Sequence, residues 1–483
     1  MYIRRYGCLL IAIVLLLYLS ASHPFGQRSS ANVRTVIVID SEPQPPQPEP
    51  MQMIKMLQNA ESIAGSGLRQ PGFIIWGGSV IKGRADGLYH IFVSRWDEKL
   101  AHMAWVTSSE IAHAVSSSPL GPWRFQDVAL PRRGCGKYWD GCMTHNPSIH
   151  WHARRKEYVL FYTGTNYDFT APAGRPLTNR TQYELAWNSK RIGVATSKSP
   201  NGPWRRSHSP ILTPRKGHWD GGITSNPSAV IYPDGSVLLV YKSIIKAYPD
   251  RNTMKPKPVF HLGGAVARDV LGPYRRAQDS PVLRFNGLAL AAEDPYVWRC
   301  AATGRLHLIF KAMNTLRTPP PERRLVVPSG HLAYTYTAPG GSLMTWSLPQ
   351  LAFNRTLRVR SMRPWEQAAA RSSLRTMDRS SEMPRRPGWW TSLFGGGPSA
   401  NDAPKHRDAS RSLPAIPALM RGVYFKVDRL ERPQFLFSRD NQTKMRPTYC
   451  FAAMMVNGSS ANVVLRLGPP PERGRSRAIG HRL

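Results

Sequence analysis

Acidic side chains are scarce in this 483-residue chain: 30 Asp and Glu stand against 65 Lys and Arg, a formal net charge of +35. Cysteine is scarcer still, at five, which excludes a small domain held together by disulfides. Long apolar runs are nearly absent. Only residues 6–19 are apolar enough to meet a bilayer, which excludes a multi-pass membrane protein. A dense basic stripe is also lacking, because the cations are scattered in small clusters near 132–133, 154–156, 322–324 and 385–386 and in a tail at 473–482. The surplus reads as a solvated basic surface. No nucleic-acid partner is expected, while a general attraction to acidic glycans or lipid head groups stays open. Metal-ligand spacing is weak as well: Cys135 and Cys142, with six residues between them, make a poor zinc pattern, and His150 and His152 have no third ligand.

What is present points to strands. Apolar content of 41% excludes a wholly disordered chain, and 14 Trp, 43 Pro and 38 Gly favour many short strands over long helices. At the N-terminus, Arg4 and Arg5 precede the apolar run, and the small residues Ser20 and Ser22 follow it. Residues 1–22 thus read as a secretory signal peptide, or equally as a short signal anchor that keeps the chain in a thin membrane as a type II protein. Either delivers the rest to the secretory lumen, the Golgi included, or outside the cell. Sequons at Asn179, Asn354, Asn441 and Asn457 agree with that address, and Cys135 and Cys142 lie close enough to staple one loop in an oxidising lumen.

Residues 23–70, with the cluster SEPQPPQPEP, read as an extended linker. Beyond it the chain repeats itself. WDGCMTHNPS from Trp139 returns as WDGGITSNPS from Trp219, and SPLGPWR at 118–124 returns at 199–205 and, more loosely, at 270–275. Between these markers lie the similar apolar runs GLYHIFVS, EYVLFYTG, SVLLVYKS and RLHLIFKA, with Asp-Gly turns of hairpin type ahead of two of them. The unit is four strands with a Gly-Pro-aromatic corner before the last. Units of this kind predict an all-β fold, a five-bladed β-propeller, with blades near 73–130, 143–213, 223–285, 291–355 and 420–467. Residues 363–418 read as a disordered insertion and residues 468–483 as a basic tail.

In such a ring the first residues of each inner strand share one mouth, so pocket residues are sought there. They are Trp76-Gly77-Gly78, His145-Asn146-Pro147, Ser225-Asn226-Pro227 and Glu293-Asp294-Pro295, with Glu431-Arg432 in the last unit. Indole faces stack on sugar rings, and Asn, His and Asp bond hydroxyls directionally. The motifs NPSAVIYPDGSVLLVY, RIGVATSKSPNGPW, AEDPYVW with RLHLIF, and DRLERPQFLF resemble the five-bladed glycoside hydrolase superfamily, the family 43-like arabinanase and xylosidase group with its invertase relatives. That resemblance implies an axial pocket holding a base, a modulating carboxylate and an acid.

Glu293, beside Asp294, is the expected acid; Asp140, Asp220 and Glu431 are the other candidate catalytic carboxylates. Trp76, Trp139, His145, Asn146, Trp219, Asn226, His331 and Arg432 are the candidate sugar contacts. No cofactor is required, calcium in the axial channel is left open without support, and a monomer acting on an oligo- or polysaccharide is expected. The chain departs from the family's pattern at blade one, where Gly77-Gly78 stands in place of Asp-Pro, and at Asn146 and Asn226, where Asp is frequent. Those departures leave room for a catalytically silent glycan-binding propeller, or for a transferase or phosphorylase on the same scaffold.

Overall fold

Strands dominate because alternate residues of each run are apolar on both sides. In Val237–Ser243, Val237, Leu239 and Tyr241 pack toward one neighbouring sheet, while Leu238 and Val240 pack toward the other. A sheet buried on both faces needs a neighbour on each side, and a closed ring of sheets meets that need. The computed structural model describes residues 36–38, 48–63, 65–100, 102–171, 177–244, 259–285, 288–318, 324–343, 345–353, 356–360, 362, 367, 424–439, 445–456 and 459–467. All of them fall in the unit Val36–Leu483. The apolar run at 6–19, the sequons at Asn354, Asn441 and Asn457, nearly all of the 363–418 insertion and the basic tail lie outside the described residues. Among the described residues no helix is long and apolar enough to cross a membrane.

Four antiparallel sheets follow the chain in order, with inner strands Phe73–Lys82, Met143–His152, Ser225–Ile231 and Ala292–Arg299. Each has four strands hydrogen-bonded in sequence from the axis outward, the first ending at Arg124–Leu130 and the fourth at Gln350–Phe353. The fifth sheet opens with Arg429–Arg439, Met445–Val456 and Ser459–Arg466. The inner strands touch in cyclic order, and Arg429–Arg439 returns to Phe73–Lys82. This is the five-bladed propeller that the repeats predict. The Gly-Pro corners recur with cis bonds at Gly121-Pro122, Gly202-Pro203 and Gly272-Pro273. Their aromatics are blade-to-blade core: Trp204 meets Phe92 of blade one at 5.5 Å, and Trp123 meets Phe451 of blade five at 6.3 Å between centroids.

The linker expected over 23–70 is corrected in both halves, first at Val36–Val38, a strand that pairs parallel to Thr315–Arg317. Pro48–Gln58 is a helix whose Met53, Ile54, Met56 and Leu57 enter the core between blades four and five, beside Trp298, Phe353, Phe435 and Leu465. Proline is tolerated in a first helical turn, where no intrahelical N–H bond is required. Glu61–Ile63 then supplies the fourth strand of blade five, antiparallel to Ser459–Arg466 and parallel to Thr356–Arg360. The blade that the repeats place at 420–467 is thus completed by the start of the domain. Cys135 and Cys142 are joined in a disulfide, as their spacing suggests.

The matched Trp-Asp-Gly loops are structural. Asp140 is fully buried, accepts from the Tyr162 hydroxyl at 2.8 Å, and pairs with Arg133 and Arg206. Asp220 repeats this with Tyr241 at 2.8 Å, Arg215 at 2.9 Å and Arg276 at 2.9 Å. Each carboxylate ties the loop entering its blade to that blade's last strand. Trp139 stacks on Tyr162 and donates to the Ser207 carbonyl, and Trp219 stacks on Tyr241. At Gly193 a Cβ would lie 2.3 Å from the Trp139 ring, so only glycine lets the indole settle there. Asp220→Ala, which leaves two guanidinium groups without their shared anion, should cost about 3–5 kcal/mol in chemical denaturation. A change within about 0.5 kcal/mol, as surface sites give, would refute the clamp.

Candidate functional site

Every inner strand breaks register at the same point: between Trp76 and Ser79, His145 and Ser148, Ser225 and Ser228, Glu293 and Tyr296, and Glu431 and Gln434. Within each bulge one residue is left-handed: Gly77 at φ +69°, Asn146 at +54°, Asn226 at +53°, Asp294 at +54° and Arg432 at +54°. Four are followed by proline, whose missing N–H costs nothing where the ladder is already broken. The bulge N–H finds a hydroxyl on the preceding blade, Ser94 for Asn146 at 2.8 Å and Thr163 for Asn226 at 3.1 Å. The left-handed side chains meet at the axis. Asn146 Nδ2 donates to Asn226 Oδ1 at 3.0 Å, Asn226 Nδ2 donates to Asp294 Oδ1 at 2.5 Å, and Arg432 Nη1 lies 3.7 Å from the same oxygen.

Over this polar floor stands a cavity of about 600 Å³. Trp76, Trp96, Trp105, Trp187, Tyr183 and Phe260 give it an aromatic wall, and His102 and His145 fill the corners. His145 stacks on Trp105 at 4.7 Å and bonds Ser109 Oγ at 2.8 Å; burial, then the Arg432 charge, keep its imidazole well below the usual range and neutral. Much of the remaining lining is charged, Asp428 and Arg429 among it. Lys311 Nζ bonds Glu293 Oε1 at 3.0 Å and also Glu431, while Lys242 Nζ bonds Glu293 Oε2 at 3.1 Å. Two carboxylates on one ammonium lie within about 6 Å of each other, the sum of two hydrogen bonds.

The electrostatics of this pair run opposite to expectation. Burial would raise Glu293, but the Lys311 and Lys242 ammonium groups override it and hold the carboxyl well below its ordinary value. That direction favours the anion at Glu293, where the sequence leads us to expect the acid. At Asp294 burial, and then the Glu293 charge, push the carboxyl up to about 6. Neighbouring carboxyls driven apart in this way can divide proton donor from anion.

Trp76, His145, Asn146, Asn226, Glu293, Asp294, Glu431 and Arg432 line the cavity as the repeated starts indicate. Asp140, Asp220, Trp139 and Trp219 do not, being bound up in the loop clamps, and His331 lies outside the lining with Nδ1 3.4 Å from the Ser329 carbonyl. Sequence reading missed Lys242 and Lys311, although the signal was present: both end second strands, in VYKS and IFKA, and Lys311 is the register partner of Glu293. It also missed Lys190. This lysine is 1% exposed, with its ammonium 3.1 Å from the Trp187 ring centroid and 5.2 Å from that of Trp105. Burial, then the Lys242 charge, push it well below the ordinary lysine range. Among the described residues no group of three or more His, Cys, Asp or Glu is arranged to hold a metal ion.

No family model and no curated protein matches the chain. Solved structures do. A family 117 glycoside hydrolase from Zobellia galactanivorans is 18% identical, with 63% of this chain and 80% of that one covered at a TM-score of 0.42. An endo-arabinase from Bacteroides thetaiotaomicron is 10% identical, with 84% and 97% covered at 0.41. An exo-β-1,3-galactanase from Phanerochaete chrysosporium, solved with β-1,3-galactotriose, is 16% identical, with 60% and 53% covered at 0.36. At low identity, then, this five-bladed propeller is matched by glycoside hydrolases of the family 43 and family 117 type.

Proposed function

We propose that this chain is a carbohydrate-active hydrolase that cleaves a glycosidic bond in the axial cavity. One observation carries the reading: of the four carboxylates that line one cavity walled by indoles, Glu293, Asp294, Asp428 and Glu431, the neighbours Glu293 and Asp294 are driven in opposite directions. Glycosidic cleavage needs a protonated group at the leaving oxygen and an anion that activates water or attacks the anomeric carbon. Asp294 is the proton donor in this scheme. Glu431, on the neighbouring blade, is the base. Burial, and then the Glu293 charge, raise Asp294 toward a proton donor's range, and Lys311 holds Glu293 and Glu431 together. Trp76, Trp105 and Trp187 offer faces on which a sugar ring stacks. We place the protein in the secretory pathway, entered through residues 1–22. The Cys135–Cys142 disulfide and the exposed sequon at Asn179 support that address.

A second reading, a silent glycan-binding propeller, draws on blade one, which brings Gly77 and Gly78 where the other inner strands carry Asn, Asp or Arg. Assaying release of reducing ends from arabino-, xylo- and galacto-oligosaccharides separates the two, since the silent form binds and releases nothing. Asp294→Asn should cut turnover by about 10²–10⁴, the usual contribution of a general acid. Its stability at pH 7 should be unchanged or higher. An aspartate whose folded value lies above its unfolded one penalises the fold once both states are ionised, and asparagine removes that penalty. Full turnover in this variant would remove Asp294 from the role.

In the wild type, kcat/KM should fall about tenfold per pH unit above about 6, as the acid loses its proton. Glu293→Gln deletes the charge that raises Asp294, so the alkaline limb should move to lower pH while measurable turnover survives. An unmoved limb would break the coupling.

A further inference from the structure

The axial floor is a ring of five positions, one per blade, and four of them carry side chains. Its hydrogen bonds have a direction. The Asp294 carboxylate accepts, so Asn226 presents Nδ2 to it and Oδ1 to Asn146, and Asn146 presents Nδ2 in turn. Asn146 Oδ1 is thereby left as the open end of this chain, and the next position in the ring, on blade one, is Gly77. On the other side of Gly77 is Arg432 of blade five, whose Nη1 stands too far from Asp294 Oδ1, at 3.7 Å, for a hydrogen bond. Among the described residues neither Asn146 Oδ1 nor Arg432 Nη1 has a hydrogen-bond partner. Asn146 is 6% exposed and Arg432 3%, and both line the cavity. Buried polar atoms left without partners are costly. A Cβ built on Gly77 would meet one atom within 4 Å, Arg432 Cβ at 3.6 Å, so the place above this residue has room.

We infer that the Gly77 gap is a subsite for one hydroxyl of the sugar, which donates to Asn146 Oδ1 and accepts from Arg432 Nη1. The choice of group follows from the two atoms. An anion has no hydrogen for the amide oxygen, and an ammonium has no lone pair for the guanidinium; a hydroxyl has both. This subsite rests on the functional reading above and refines it, because glycine at blade one becomes a specificity device: it rejects a ligand that lacks the matching hydroxyl.

Filling the gap tests the inference. Asn146 and Asn226 hold the same left-handed conformation in their own blades, so Gly77→Asn has precedent within the ring. The probes are methyl glycosides of galactose, arabinose and xylose, titrated calorimetrically, followed by the monodeoxy analogues of whichever binds best. In the wild type one deoxy analogue should bind at least about tenfold more weakly than its parent, the scale of a buried polar pair left unmatched. Gly77→Asn should weaken the parent sugar by at least tenfold, abolish that discrimination and keep or raise the melting temperature. Equal affinity of the variant and the wild type for the parent overturns the subsite. So does a deoxy series flat to within twofold on the wild type, a readout that needs no variant to fold and that would mean only water occupies the gap. Sugar binding without these effects removes the subsite alone, whereas no sugar binding by the wild type removes the functional reading with it.

Discussion

A single backbone conformation, repeated once per blade, determines where this molecule keeps its polar groups. A residue near φ +54° inside a strand is strained for anything but glycine, at a cost of order 1–3 kcal/mol. Here Asn146, Asn226, Asp294 and Arg432 all adopt it. What they gain is direction: the bulge turns the side chain to the axis, and on every blade but the third the residue before the left-handed one, Trp76, His145, Glu293 or Glu431, rises on the cavity wall. The floor and the wall are thus one device read at two successive positions. Asp294 is buried because the bulge puts it at the axis, and its carboxyl is pushed up by that burial first and then by the charge of Glu293, its neighbour in the same turn.

Negative charge is rationed in this basic chain, and most buried carboxylates are spent on cations. Asp140 and Asp220 each hold two guanidinium groups, and Glu293 holds two ammonium groups. Such groups are fixed as anions and serve geometry. Asp294 stands apart, with an amide and a distant guanidinium as its company.

Recurrence in the sequence disclosed the blades, because hairpin turns and doubly buried strands leave a local pattern. It also disclosed the mouths of the inner strands, where eight of the thirteen residues singled out do line the cavity. The same recurrence misled at Trp139-Asp140 and Trp219-Asp220. A repeated motif marks whatever every blade needs, and a loop clamp recurs as faithfully as a ligand contact. What separates them is the partner, and Arg206 and Arg276 lie 66 and 56 residues from their aspartates. The electrostatic order of Glu293 and Asp294 was hidden likewise, since it depends on Lys242, a residue of another blade. Glu61–Ile63 escaped notice for a different reason: three residues behind a proline cluster carry no period, and their place is set wholly by strands from the far end of the domain.

That late partner has a bearing on biosynthesis. Glu61 pairs with Arg466, about 400 residues further along. At a synthesis rate of roughly 5–20 residues per second, the first-made strand waits some 20–80 s for the last-made one. Blades one to four can form in the meantime, but the circle shuts only once Ser459–Arg466 has been made. Until then the edges that Glu61–Ile63 and Ser459–Arg466 come to share are unpaired, the kind of open strand edge that invites wrong partners.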